Sequence, residues 1–154
     1  MFLRQDLNID LTLKYITICL ELLFLEILMI DLLIYVGMFY ILHLFLVMSF
    51  SLHKVPFMNW TYTGGDTSAM TDLSARMVLA SDNLRQSLPV FLVFSVLSVI
   101  NNVDNLMLAK LWFLLRGLYL VGAILNLYRI PMIRPVIWLP SIVILVMMGL
   151  NVIS

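Results

Sequence analysis

Apolar residues run through this chain in long blocks, and most polar residues fall between the blocks. Residues 32–52 form a stretch of 21 without a formal charge. At about 1.5 Å per residue, that is roughly 31 Å of helix, enough to cross a bilayer's hydrocarbon core. Residues 86–103 are uncharged, and residues 105–128 are apolar but carry Lys110 and Arg116. Residues 135–154 form a fourth uncharged run. Backbone amides and carbonyls must be satisfied inside lipid, which favours helices. No period-two alternation points to a barrel. The pattern predicts an all-α fold: an integral membrane bundle of four transmembrane helices.

The connections differ in length. Residues 101–105, Asn-Asn-Val-Asp-Asn, join the second and third spans, and residues 128–134, with Pro131 inside, join the third and fourth. A longer connection from His53 to about Asp72 holds the turn-forming run Thr63-Gly64-Gly65-Asp66-Thr67-Ser68. Lys54, Arg76, Arg129 and Arg134 follow the first and third spans, whereas Asp104 alone is charged after the second. The excess of positive charge puts the first and third connections in the cytoplasm.

The leader is less regular. From residue 11 to residue 52 there are 42 residues, about 63 Å of helix and twice a bilayer. Glu21, Glu26 and Asp31 are spaced by five and point in different directions around a helix, so they mark no amphipathic face. The division read here is an N-terminal helical extension over residues 1–31 and a transmembrane domain over residues 32–154. The extension reads as a bent helix at the interface or against a neighbour, with a fifth span as the alternative. The mixed charges Arg4, Asp6 and Asp10, with no small-residue cleavage site, do not resemble a cleaved signal.

Composition agrees with the pattern. The chain has 154 residues, 63% hydrophobic and 12% charged, against about a quarter charged in a soluble domain. A soluble globule of this size could not hide that apolar surface. Nine basic residues balance nine acidic ones, so there is no basic field for nucleic acid. Cys19 is the only cysteine, which excludes an internal disulfide, and it reads as a small buried thiol. His43 and His53, ten apart with no carboxylate cluster, do not make a metal site.

Polar side chains within the spans are the candidates for chemistry, because ionisable groups in lipid face a bundle interior or a cavity. Asp72, Arg76, Asn83, Arg85 and Gln86 open the second span ahead of Pro89. Helical spacing puts Arg76, Asn83 and Gln86 on one face, and Asp72 is one turn from Arg76 and can pair with it. Arg116 and Tyr119 lie one turn apart in the third span, followed by Arg129 and Arg134. These residues read either as a cytoplasm-facing cleft for a small anion, or as polar links between helices with arginines reaching the headgroups.

In these stretches the chain resembles the MAPEG family, the membrane-associated proteins of eicosanoid and glutathione metabolism, and especially its short bacterial-type members. The family's second helix carries an Arg followed by Asn-x-x-Glu-x-x-Pro-x-Phe. Here Arg76 is followed by Asn83, Gln86, Pro89 and Phe91, with Gln86 in place of the family's Glu. The family's Arg-x-x-Tyr is matched by Arg116 and Tyr119, and its Pro-x-x-Arg-x-x-x-Trp by Pro131, Arg134 and Trp138. The resemblance covers residues 60–154.

The resemblance implies a four-helix subunit that assembles as a homotrimer in a bacterial inner membrane or an organellar membrane, with glutathione as co-substrate between subunits. It implies that Arg76, Asn83, Gln86, Arg116 and Tyr119 bind the tripeptide, and that Arg134 is the catalytic residue that stabilises its thiolate. The implied activity is conjugation or reduction of a lipophilic electrophile. Gln86, the added Arg85 and the extension suit a second reading: a catalytically degenerate accessory or structural subunit whose extension meets partner membrane proteins. A third reading is a lipid-binding bundle.

Overall fold

The computed structural model describes residues 28–153. The readings made above for residues 1–27, including Cys19, Glu21 and Glu26, lie outside the described residues. Four helices are long and apolar enough to cross a membrane: α1 (Leu28–Ser49), α2 (Asp72–Ile100), α3 (Leu106–Ile124) and α4 (Ile133–Ile153). They are the four spans expected, with different ends, and the protein is an integral, multi-pass membrane protein.

The ends moved for local reasons. The described part of α1 reaches back four residues before the first uncharged run, to Leu28, and carries Asp31 on its exposed side. α2 is 29 residues long, about 43 Å, and begins well before its uncharged core. Thr71 caps it by accepting from the Ser74 amide, which satisfies one of the free donors of the first turn. Asp72 occupies that turn, where the helix dipole favours a carboxylate. α3 stops at Ile124 rather than continuing to Tyr128. Asn126 takes a left-handed conformation at φ 57° and starts a short 3-10 turn, Leu127–Arg129, which reverses the chain.

The core runs along the bundle axis. Met29, Leu32 and Val36 of α1 share it with Leu84 and Phe91 of α2, Trp112 of α3, and Ile144, Leu145 and Met148 of α4. Phe91 and Trp112 stack with ring centroids 4.0 Å apart. Phe39 of α1 meets Phe113 of α3 edge to face at 5.3 Å, the favoured aromatic geometry. A second cluster of Met77, Ala80, Tyr119, Leu120 and Ala123 fills the end from which the first and third connections leave. That end carries Lys54, Arg76, Arg129 and Arg134, and is called the basic end below.

Hydroxyl and amide groups tie the helix ends together. The Ser51 hydroxyl donates to Ser74 at 2.6 Å and accepts from the Thr71 amide at 2.9 Å. The Thr71 hydroxyl donates to the Phe50 carbonyl. This knot fastens the end of α1 to the start of α2. In the connection between them, a Cβ at Gly65 would lie 2.0 Å from the Asn59 carbonyl oxygen, so only glycine fits there.

Asn105 does the same work at the opposite end. It is fully buried, and its Nδ2 donates to Ser98 of α2 at 2.8 Å and to the Met148 carbonyl of α4 at 3.0 Å. Its Oδ1 accepts from Asn151 at 2.8 Å. Side-chain bonds within membrane bundles average about 0.6 kcal/mol each. Asn105→Ala removes three and is expected to cost about 2 kcal/mol, read as a lower unfolding midpoint of the detergent-solubilised protein. An unchanged midpoint would remove Asn105 from this role.

Candidate functional site

Arg116 is the eleventh of the 19 residues of α3, so it sits near the middle of the membrane. It is 3% exposed. Its Nη1 donates to Asn83 Oδ1 of α2, and its Nη2 donates to the Ser141 hydroxyl of α4 at 2.7 Å. Ser141 passes its own proton to the Trp138 carbonyl at 2.6 Å. The guanidinium carbon lies 5.2 Å from the centre of the Trp112 ring, within the range of a cation–π contact. Among the described residues, the only ion pair within 4.0 Å is Asp82–Arg85. Arg116 is therefore held by neutral dipoles and a ring face. Its planar fork reaches two helices at once, which a lysine cannot do.

A second polar cluster occupies the basic end. Arg76, Tyr119, Asn126, Tyr128, Arg129 and Arg134 line a cavity of about 220 Å³. Three arginines are in its lining, and the lining contains no carboxylate. Tyr128 folds back over the end of α3, and its hydroxyl donates to the Tyr119 carbonyl at 2.6 Å. The two rings are 4.8 Å apart. Gly122 makes room for it: a Cβ there would lie 2.7 Å from the Tyr128 oxygen. Burial, and next the Tyr119 phenol, push the Tyr128 pKa above the ordinary tyrosine value, so it remains a protonated donor at physiological pH. The buried Nε of Arg76 has no hydrogen-bond partner within the chain. An unpartnered buried donor of this kind suits an anionic ligand.

A larger groove of about 560 Å³ opens between α2 and α4. Asn83, Gln86 and Ser87 line its polar part, and Val90, Phe94, Trp138, Leu145 and Leu150 line its apolar part. Gly149 packs closely against Phe94 there; an added Cβ would meet that ring at 2.9 Å.

The six residues singled out in the sequence therefore divide. Arg76, Tyr119 and Arg134 line the basic cavity. Asn83 and Arg116 bond to each other deeper in the bundle. Gln86 faces the groove beside Asn83. Arg76 does not share that groove, although it lies on nearly the same helical side, because seven residues of helix separate it from Asn83 by about 10 Å. The expected pairing of Asp72 with Arg76 does not form. Asp72 stays exposed in the first turn of α2, while Arg76 turns inward to the cavity.

Sequence reasoning missed Ser141, Asn126 and the role of Trp112. Ser141 had a readable signal, being the only hydroxyl residue of α4. The other two depend on how the chain reverses and on which faces of α2 and α3 meet. Arg116→Lys is expected to lower stability by about 2 kcal/mol, because one helix loses its charge-assisted bond. The midpoint of thermal unfolding in detergent measures it. Equal midpoints for the two proteins would contradict the geometry.

Comparison with known proteins bears on all of this. The model of the MAPEG family matches residues 32–154. Comparison with curated proteins and with solved structures gave no match. The family match covers all four spanning helices from residue 32 onward, both polar clusters and the groove, and on that match the chain belongs to the MAPEG family.

Proposed function

We propose that the protein binds glutathione in the basic cavity and conjugates or reduces a lipophilic electrophile that enters from the bilayer through the α2–α4 groove. The observation that carries this reading is the convergence of Arg76, Arg129 and Arg134 on one small cavity with no carboxylate in its lining. Guanidinium forks match the carboxylates of a tripeptide anion. Tyr119 and Tyr128 add an aromatic wall and hydroxyl groups. Asn83 and Arg116 bond to each other outside that lining, and Asn83 lines the groove with Gln86. On this reading the site is completed in a homotrimer.

Arg134 stands in the first turn of α4 and lines the cavity. A guanidinium beside the glutathione sulfur favours the thiolate over the thiol. The thiol proton leaves to solvent. The thiolate electron pair then forms a bond to the electrophilic atom of the second substrate, whose leaving group or π bond takes up the displaced electrons. The apolar groove suits a substrate that partitions into lipid.

A second reading is supported by two observations. Asn83 Oδ1 is already occupied by Arg116, and Gln86 stands where the family has a carboxylate. Both suit an accessory subunit whose site no longer turns over.

Titration of the purified protein in detergent with glutathione separates the readings. Binding at about millimolar concentration or tighter is expected, together with the ultraviolet absorbance of a thiolate at neutral pH. Arg76→Ala is expected to weaken binding about tenfold or more, from the loss of a charge-assisted bond of about 1.5–3 kcal/mol. Arg134→Ala is expected to abolish the thiolate absorbance while binding persists. Absence of binding at millimolar glutathione would leave the accessory reading.

A further inference from the structure

We infer that the turn joining α3 to α4, residues 125–132, is a docking site for an anionic phospholipid of the leaflet at the basic end. Arg129 and Arg134 take its phosphate, and Leu125, Leu127, Ile130 and Met132 lie against the start of its acyl chains.

The turn lies at the membrane boundary, because α3 ends at Ile124 and α4 begins at Ile133. Connections that meet only water are ordinarily polar. Here Leu125, Leu127, Ile130 and Met132, half of the turn, are exposed. Closeness to a bilayer does not by itself give that pattern. The turn at the opposite end, Asn101-Asn102-Val103-Asp104-Asn105, also joins two spanning helices, and its one apolar side chain, Val103, is half-buried. The other connection at the basic end repeats the apolar pattern with a cation beside it. Leu52, Phe57, Met58 and Tyr62 are exposed there, and so is Lys54.

Charge narrows the partner. Residues 105–154 contain no Asp or Glu. Arg129 and Arg134 are exposed, and among the described residues no carboxylate lies within 4.0 Å of either. Two cations without a counter-charge, set beside apolar side chains at headgroup depth, match a phosphodiester whose chains continue into the bilayer. The cavity that both arginines line also holds Arg76 and no carboxylate, so the cationic choline of a zwitterionic lipid finds no partner there.

The turn is preformed. The Tyr128 hydroxyl ties it to the Tyr119 carbonyl at 2.6 Å, and Asn126 and Met132 hold left-handed conformations at φ 57° and 77°. A fixed turn loses little freedom when a headgroup docks. Lipid docking does not depend on the glutathione reading, and its test contains no glutathione.

The full chain in mild detergent is supplied with dioleoyl phosphatidylglycerol or dioleoyl phosphatidylcholine and read by native mass spectrometry. Phosphatidylglycerol is expected to be retained about tenfold more tightly than phosphatidylcholine, and Arg129→Ala/Arg134→Ala to remove that preference. Lys110→Ala takes a charge from the opposite end of α3 and is expected to keep it. Glycerophosphoglycerol, the same headgroup without chains, is expected not to displace the lipid at equal concentration. Equal retention of the two lipids, an equal loss in Lys110→Ala, or displacement by glycerophosphoglycerol would overturn the inference.

A second measurement keeps both arginines, in case the double variant does not fold. In a Cys19→Ser background, a spin label at Ile130→Cys in phosphatidylglycerol nanodiscs is expected to be about tenfold less accessible to a water-soluble relaxation agent than one at Asn101→Cys on the opposite turn. Equal accessibility at the two positions would also overturn the inference.

Discussion

The rest of the bundle is arranged around one buried cation. Arg116 brings a full positive charge to the middle of the membrane, where removal from water is most costly. No described carboxylate lies within ion-pair distance of it. The charge is instead shared among the Asn83 carbonyl oxygen, the Ser141 hydroxyl and the face of Trp112. Those partners come from α2, α4 and α3 itself, so satisfying this one group fixes the rotation of three helices. Phe91 stacks on Trp112 and shares one core cluster with Met29, Leu32 and Val36 of α1.

Fixing those rotations also determines what faces outward and what faces the basic end. Tyr119 is one turn beyond Arg116, and it points into the cavity that Arg76, Arg129 and Arg134 line. Asn83 and Gln86 are less than one turn apart on α2 and line the groove toward α4. With α2 held by Asn83, Asp82 and Arg85 are left on its outer strip. The polar residues of this chain therefore have separate duties by depth and direction: a clasp inside, an arginine-lined cavity at one end, and a charged strip on the outside.

Much of the fold was legible in the sequence because hydropathy over a bilayer's length is a strong constraint. Four spans and their connections followed from uncharged runs, and the excess of Lys and Arg marked the end where the cavity lies. The helix ends were less legible. The uncharged core of α2 begins only at residue 86, yet Thr71 caps a helix that already starts at Asp72. The extent of α3 turned on one left-handed residue, Asn126, which hydropathy does not register. Of the site, the resemblance put Arg76, Asn83, Gln86, Arg116, Tyr119 and Arg134 in one pocket, whereas the structure gathers only Arg76, Tyr119 and Arg134 on the basic cavity. The separation of Asn83 and Arg116 from these three was not legible, because it depends on which hydrogen-bond acceptors α4 brings to Arg116. Ser141 does that through the one hydroxyl of a largely apolar helix.

On the proposed function, the anion is held at the basic cavity while the Arg116 clasp holds the bundle. Ligand-induced stabilisation tests it most directly, since a ligand that binds only the folded state raises the unfolding midpoint. The protein and its Arg76→Ala/Arg129→Ala/Arg134→Ala variant are unfolded by heat in detergent, with and without saturating glutathione. The expected result is a rise in midpoint for the unaltered protein, and a variant that unfolds at a similar temperature without ligand and shows no rise with it. No rise for the unaltered protein, or an equal rise in the variant, would contradict it.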